Sequence, residues 1–444
     1  MLAGGVDDFA RQLRAETPHV VVLYEDNFNF LSKMCLAKMR AAACEMAALA
    51  RAAGSRVIAA GPDVTDAPRP YLDAGVEIAL AGEGLPELTR LLSRLAARID
   101  AAGPSSGADL PSWSSAGWPA SHWGDGVESA LAPRRHGAAA VRPMRSVPND
   151  SAPDPIDEAA WDLVDIDRYR SVWQSAHGYF SLNLASSRGC SFRCAWCAKP
   201  TWGNRYLQRA PAAVAEEMSY LKQTFRPDHI WFADDIFGFR VDWVRDFAAE
   251  VAARDAFIPF TIQTRADLVS PRMAEALRTA GCIEAWIGAE SGSQKVLDAM
   301  NKGTTVALNL EARERLGQCG IRVGFFIQLG YPDEELEDIL ATRALLDAAR
   351  PDDVGISVSY PLPGTPFYQR VKAQLGAKTH WQHSGDLEMM FHGTYTSDFY
   401  RAVRDLLHEQ IGMQDRGDLE KRWERLLSRE REFRSAAQPA ALGV

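Results

Sequence analysis

From Tyr179 to Tyr360 the chain repeats one unit six times: a short run of apolar, β-branched and aromatic residues, then a helical stretch. The runs are 179–186, 229–233, 259–264, 284–288, 323–329 and 354–360, and the helical stretches between them begin near Pro211, Asp242, Pro271, Ser293 and Asp333. A strand followed by a helix and another strand is the pattern of parallel neighbours joined by crossovers. Six such steps predict a parallel sheet curled into a partial (β/α)6 barrel.

A similar alternation occupies the first hundred residues, with strand-like runs at 20–24, 56–60 and 77–81 and helical stretches at 31–53, near Tyr71 and at 85–99. Between about 101 and 155 the composition turns to Gly, Ser, Pro and Ala with isolated Trp113, Trp118 and Trp123, which reads as an irregular linker. After Phe367 strand signals stop, and a helical pattern runs from Tyr400 to about Glu432. The expected organisation is α/β: a truncated Rossmann-like domain over 1–100, a linker over 101–160, the barrel over 161–370, and a helical C-terminal region over 371–444. A length of 444 residues suits two or three domains.

Composition narrows the partners. With 47% hydrophobic and 24% charged residues and a net charge of -9, the chain is expected to be globular and not to bind nucleic acid. The start lacks a basic segment followed by an apolar run, and no stretch is apolar for long enough to span a bilayer, so the expected compartment is the reducing cytoplasm. Seven cysteines, three of them within eight residues, do not form a disulfide pattern.

Those three are Cys190, Cys194 and Cys197, in a CxxxCxxC run just after the first barrel strand. Random placement of seven cysteines would produce about 0.002 such runs, so chance is a poor explanation. Thiolates are soft ligands suited to iron–sulfur clusters or zinc. A structural zinc site needs a fourth ligand, for which His177 or Cys282 is a distant candidate, whereas a cubane held by three cysteines leaves one iron open. Cys35, Cys44, Cys282 and Cys319 fall in helical or strand patterns and read as core.

Polar residues also follow several predicted strands: Asp234-Asp235, Arg265, Glu290-Ser291, Tyr331 and Tyr360. Singly each reads as a helix cap or a solvated loop residue; together they suggest a cavity lined at the carboxyl end of the barrel.

The cysteine run and its place after the first strand resemble the radical SAM superfamily. That resemblance implies a 4Fe-4S cluster on Cys190, Cys194 and Cys197, with S-adenosylmethionine chelating the open iron. Trp196 stands where the family has an aromatic residue beside the adenosyl group. Phe232-Ala233-Asp234-Asp235 corresponds to the second-strand motif near the methionine amino group, with Asp in place of the commoner Gly-Gly-Glu. Glu290 and Ser291 match the fourth-strand segment near the ribose and carboxylate, and Arg265 is expected to fork onto a carboxylate. Gly330-Tyr331-Pro332 resembles the fifth-strand turn that approaches adenine, where glycine permits close approach. The likeness spans about 180–368.

Pro361-Leu362-Pro363-Gly364-Thr365-Pro366-Phe367-Tyr368 resembles the cobalamin-binding branch, which carries a Rossmann-like domain before the barrel. In 20–99 the clearest trace is Gly82-Glu83-Gly84 after a strand. The early strand and helix of that domain are not expected before Val20, and no Asp-x-His-x-x-Gly segment supplies a histidine to cobalt. Either cobalamin sits without a protein imidazole, against the loop 24–29 with Asn27, or the domain is a remnant.

The function expected from this branch is cobalamin-dependent methylation of an unactivated carbon of a small molecule, with a donor such as flavodoxin or ferredoxin supplying electrons. The alternatives are a radical SAM cyclase or oxidoreductase and, from another class, a zinc-stabilised binding module. Leu387, Met389, Met390, Phe391, Tyr395, Phe399 and Tyr400 are candidates for lining an apolar substrate cavity or, more simply, for core.

Overall fold

The structure is a computed structural model that describes residues 5–24, 33–82, 85–102, 144–145, 159–198, 204–376, 384–411 and 417–435. The described residues fall into two compact units, up to Tyr169 and from Arg170 onward.

The first unit runs α1 (Val6–Glu16), β1 (Val20–Tyr24), α2 (Lys33–Ala52), β2 (Arg56–Ala60), α3 (Pro62–Asp66), α4 (Pro68–Asp73), β3 (Ile78–Ala81), α5 (Leu85–Ala102) and β4 (Met144–Arg145). Its strands form one parallel sheet in the order β1-β2-β3-β4. Strand β2 explains why the sheet must be covered on both sides. Val57 and Ala59 pack in a cluster with Ala47, Ala50 and Tyr71, while Ile58 and Ala60 pack in another with Leu80, Leu88 and Leu91. A continuous apolar run rather than an alternating one is the mark of a parallel strand buried on both faces. Within 101–160, strand β4 pairs Met144 with Leu80 and Arg145 with Ala81. Two residues are too few to show a period, so no pattern in the sequence announces them.

Helix α6 (Ile166–His177) leads into the second unit. There follow β5 (Ser181–Leu184), β6 (Ser187–Gly189), β7 (Tyr206–Gln208), α7 (Pro211–Thr224), β8 (His229–Phe232), α8 (Val241–Ala253), β9 (Phe260–Thr264), α9 (Pro271–Ala280), β10 (Cys282–Glu290), α10 (Gln294–Ala299), α11 (Val306–Gln318), β11 (Arg322–Leu329), α12 (Leu336–Ala349) and β12 (Asp353–Val358). Six strands make a parallel sheet in the order β5-β8-β9-β10-β11-β12, and β5 and β12 do not pair with each other among the described residues. This is the partial (β/α)6 barrel that the periodicity predicts. Its helices start on chemical stops: Ser270, Ser293, Thr305 and Thr365 each accept a hydrogen bond from a backbone N–H of the first turn, and Pro271 and Pro366 follow their caps.

The two faces of the barrel sheet differ. Phe232 and Phe260 pack on Phe247 of α8, so these positions face the helices. Their neighbours therefore face the other way, and the register aligns Trp231 with Thr261, Gln263 with Trp286, and Trp286 with Gly324. On that face Trp286 stacks on Phe326, ring centroids 4.8 Å apart, and Gly324 has no side chain because a Cβ there would lie 2.5 Å from the indole.

The C-terminal region is helical, as expected, and packs on the barrel. After α13 (Pro366–Val371) come α14 (Ser397–Gln410) and α15 (Gly417–Ser428). Gln410 donates to Asp347 of α12 at 2.7 Å, and the Arg343 guanidinium of α12 covers the Trp423 ring at 4.7 Å. Phe391, Tyr395, Phe399 and Tyr400 are buried in this packing. No helix among the described residues is long and apolar enough to cross a membrane.

Candidate active site

The cysteine loop begins at a turn clamped by a buried carboxylate. Strand β5 ends at Leu184, and the chain turns at Ser186 into the short antiparallel hairpin β6–β7, which the strand periodicity does not reveal. Asp234, at the carboxyl end of β8, accepts from the Ser186 amide and hydroxyl at 2.9 Å each, from the Ser187 hydroxyl at 2.9 Å, and from the Ser187 amide. Burial pushes this carboxyl up to about 7, against the four hydrogen bonds that pull it down. Asp234 thus holds the turn that launches Cys190. Both of its oxygens accept from the chain's own serines. Asp235 is exposed.

The hairpin returns at Arg209, whose guanidinium binds the Ala185 carbonyl at 3.0 Å and the buried Glu217 carboxylate. Within the loop, the Ala195 amide donates to the Met300 carbonyl at 2.8 Å, the Phe367 amide donates to the Ala195 carbonyl at 3.0 Å, and the Asn301 side chain donates to the Arg193 carbonyl at 2.9 Å. The loop is therefore fixed from three directions: the β8 end, the segment after α10, and the start of α13.

Arg265, at the end of β9, sits against the cysteines. Its Nη1 donates to the Cys194 Sγ at 3.6 Å, and its guanidinium covers the Phe192 ring at 3.7 Å. The rest of the fork is occupied by Asp267, at 2.9 and 3.2 Å, and by the Lys302 carbonyl at 2.6 Å. The carboxylate that this arginine forks onto is thus one of the protein's own.

Glu290 ends β10 in the left-handed region, φ +61°, at a break in register with β11. A non-glycine residue held there stores strain. Its carboxylate is 2.7 Å from the Lys302 ammonium, both buried, and Gly288 leaves room for the pair: a Cβ would lie 2.5 Å from the carboxylate oxygen. Such a pair persists in the interior because each charge compensates the other. Ser291 points instead toward α12, where its hydroxyl meets that of Thr342 at 3.1 Å with the residue fully buried. It secures the strand end.

Trp196 packs against the apolar cluster of Val296, Met300, Tyr331, Phe367 and Phe391, with the Lys302 ammonium 5.9 Å above its ring, and its indole N–H has no partner among the described residues. Tyr331 belongs to the same cluster and donates to the Ala299 carbonyl at 3.2 Å. The adjoining turn is held by Glu334, whose carboxylate accepts from the Gly330 amide at 2.6 Å and whose pKa burial raises to about 8. In the first unit, Gly82 adopts φ +77° and donates to the Thr65 hydroxyl at 2.9 Å. Asn27 and Glu83 lie outside the described residues.

Sequence reasoning missed Ser186, Ser187, Phe192 and Lys302. The serine pair directly before the cysteine run is a signal that could have been read. Lys302 lies 105 residues beyond Cys197 without a motif, and only the return of the chain after α10 brings it near.

The donor set fits an iron–sulfur centre. Cys190, Cys194 and Cys197 share one loop and none is in a disulfide. Three thiolates on one loop are soft ligands of the kind that iron–sulfur clusters take. A partial parallel barrel with three thiols on the loop after its first strand defines the class: a barrel enzyme built around a metal cluster at its carboxyl end.

Comparisons with known proteins give that class its likenesses. Residues 184–346 match the Radical SAM superfamily. An uncharacterised methyltransferase from Pyrococcus horikoshii is 28% identical over 218 residues, 49% of this chain and 46% of that protein. The anaerobic magnesium-protoporphyrin IX monomethyl ester cyclase of Cereibacter sphaeroides is 28% identical over 193 residues, 43% of this chain and 32% of that one. The chain thus spans less than half the length of either relative. Among solved structures, the radical S-adenosylmethionine methyltransferase TsrM from Kitasatospora setae, with cobalamin and a 4Fe-4S cluster bound, superposes with a TM-score of 0.59 at 18% identity, covering 83% of this chain and 70% of TsrM. The cobalamin-dependent radical enzyme OxsB, with aqua-cobalamin bound, gives 0.59 at 14% identity, covering 97% of this chain and 65% of OxsB. These two likenesses concern the fold.

Proposed function

We propose that this chain is a cobalamin-dependent radical SAM methyltransferase acting on an unactivated carbon of a small molecule. The observation that carries the radical SAM part is the fixed loop at the carboxyl end of β5, with three thiols and a guanidinium donating to one of them. Cys190, Cys194 and Cys197 would hold the 4Fe-4S cluster. When bound, that cluster supplies the electron that cleaves S-adenosylmethionine to methionine and a 5′-deoxyadenosyl radical. The chain's own residues have the tasks of placement and exclusion of water: Asp234 holds the loop's entry, Arg265 and Asn301 its interior, and the cluster around Tyr331 and Phe367 closes one flank. The cobalamin part is supported by the parallel sheet of the first unit and by a fold shared with TsrM and OxsB, whose structures hold cobalamin. The electrons would come from a small protein donor such as flavodoxin or ferredoxin.

A second reading, a cyclase or oxidoreductase without methyl transfer, draws support from the likeness to the magnesium-protoporphyrin ester cyclase. One experiment separates them. The protein is reconstituted anaerobically with iron, sulfide and hydroxocobalamin, then supplied with S-adenosylmethionine and dithionite. Formation of 5′-deoxyadenosine that is abolished by Cys194→Ala, together with about one cobalamin retained per chain, is the expected result. An active cluster without retained cobalamin moves the assignment to the second reading, and a colourless protein that leaves S-adenosylmethionine intact sinks both.

A further inference from the structure

Taking as given that the three cysteines hold a cluster, we propose that Arg265 is a positioning residue that sets the reduction potential of that centre through Cys194, with Asp267 as its counterweight. Three features carry this. The Nη1 donor lies 3.6 Å from the Cys194 sulfur. The guanidinium cannot swing away, because Nε and Nη2 are held by Asp267, Nη2 also by the Lys302 carbonyl, and its face by Phe192 from within the cysteine loop. The side chain is buried, and charge acts strongly where water does not screen it.

Hydrogen bonds to the sulfurs and the net charge nearby are the means by which a protein tunes an iron–sulfur potential. Reduction adds one electron from the external donor to the centre and makes or breaks no bond to Arg265. The more negative state gains more from a cation and an N–H donor, so Arg265 raises the potential. Asp267, on the far side of the guanidinium, offsets part of that charge and lowers it. The two residues therefore act with opposite sign, whereas a loop merely loosened by either substitution would drift in one direction.

The test uses full-length protein reconstituted with iron and sulfide, without S-adenosylmethionine, as wild type, Arg265→Gln, Arg265→Lys and Asp267→Asn. Iron and sulfide content are measured first, then the midpoint potential by redox titration followed by electron paramagnetic resonance. Arg265→Gln is expected to lower the reduced-to-oxidised ratio at fixed potential about tenfold, a downward shift of about 59 mV for one electron. Arg265→Lys is expected to shift less in the same direction, and Asp267→Asn to shift upward. If Arg265→Gln does not load iron, the Lys and Asn variants decide by the same opposition of sign. Unchanged potentials at full iron content, or Arg265 and Asp267 variants that move together, overturn the proposal. Wild type that assembles no iron–sulfur chromophore overturns the radical SAM reading itself, before any potential is compared.

Discussion

His229 sits between two hydroxyls on adjacent strands, 2.8 Å from the Ser181 oxygen through Nδ1 and 2.9 Å from the Thr261 oxygen through Nε2. Burial lowers its pKa to about 4, so the folded protein keeps the ring neutral where the unfolded chain would protonate it below 6.5. Between those values the unfolded state binds more protons, and stability is lost as the pH falls from 6.5 toward 4. The size is about 3 kcal/mol across the window. His229→Gln is expected to flatten that part of the profile relative to wild type, as read by urea unfolding of the apo protein at half-unit pH steps; parallel profiles would refute it. At this scale the sequence discloses residue type but not direction. Asp234, Arg265, Glu290 and Ser291 are all legible as polar residues at strand ends. That Asp234 binds Ser186 and Ser187, and that Ser291 binds Thr342 on α12, depends on groups 47 to 51 positions away in the chain.

Strand β10 and helix α12 approach so closely that one element's packing turns on a single missing methyl. At Gly292 a Cβ would lie 2.2 Å from the Ala341 carbonyl oxygen and 2.6 Å from the Thr342 Cα, both backbone atoms of α12 that cannot rotate aside. Gly292→Ala is expected to cost about 2 kcal/mol or more by overpacking. Gly376→Ala, where nothing lies within 4 Å of the new methyl, is the control and is expected to fall within about 0.5 kcal/mol of wild type. Thermal unfolding of both variants checks the pair, and equal midpoints would contradict the packing argument. The six strands and their helices were legible because each buries a face with a regular period. The hairpin β6–β7 and strand β4 were not, because three and two residues carry no period.

Across the second unit, the C-terminal segment completes the barrel's apolar surface. Phe399 is fully buried and stacks on Tyr395 with centroids 4.3 Å apart, and Gly330 of the fifth barrel turn lies so close to Met389 that a Cβ would be 2.8 Å from its sulfur. Phe399→Ala is expected to destabilise the protein by about 3–5 kcal/mol. A chain ending at residue 376 would leave Tyr331 and Phe367 without Phe391 over them and is expected to aggregate on size-exclusion chromatography. A soluble, monodisperse truncation would show that the barrel core closes without these helices.

What the sequence determined by itself is local and repetitive: the βα alternation and the three thiols within eight residues. Their causes lie within a few residues of one another, in backbone preference, side-chain period and ligand softness, so a linear reading reaches them. Only the tertiary structure decided which charges meet. Arg265 meets Asp267, the Lys302 carbonyl and Cys194, and Glu290 meets the Lys302 ammonium, because buried charge must be compensated by whatever the folded chain brings into contact with it. For Lys302 that is settled by the path of the chain after α10, and that path has no signature in the residues it joins.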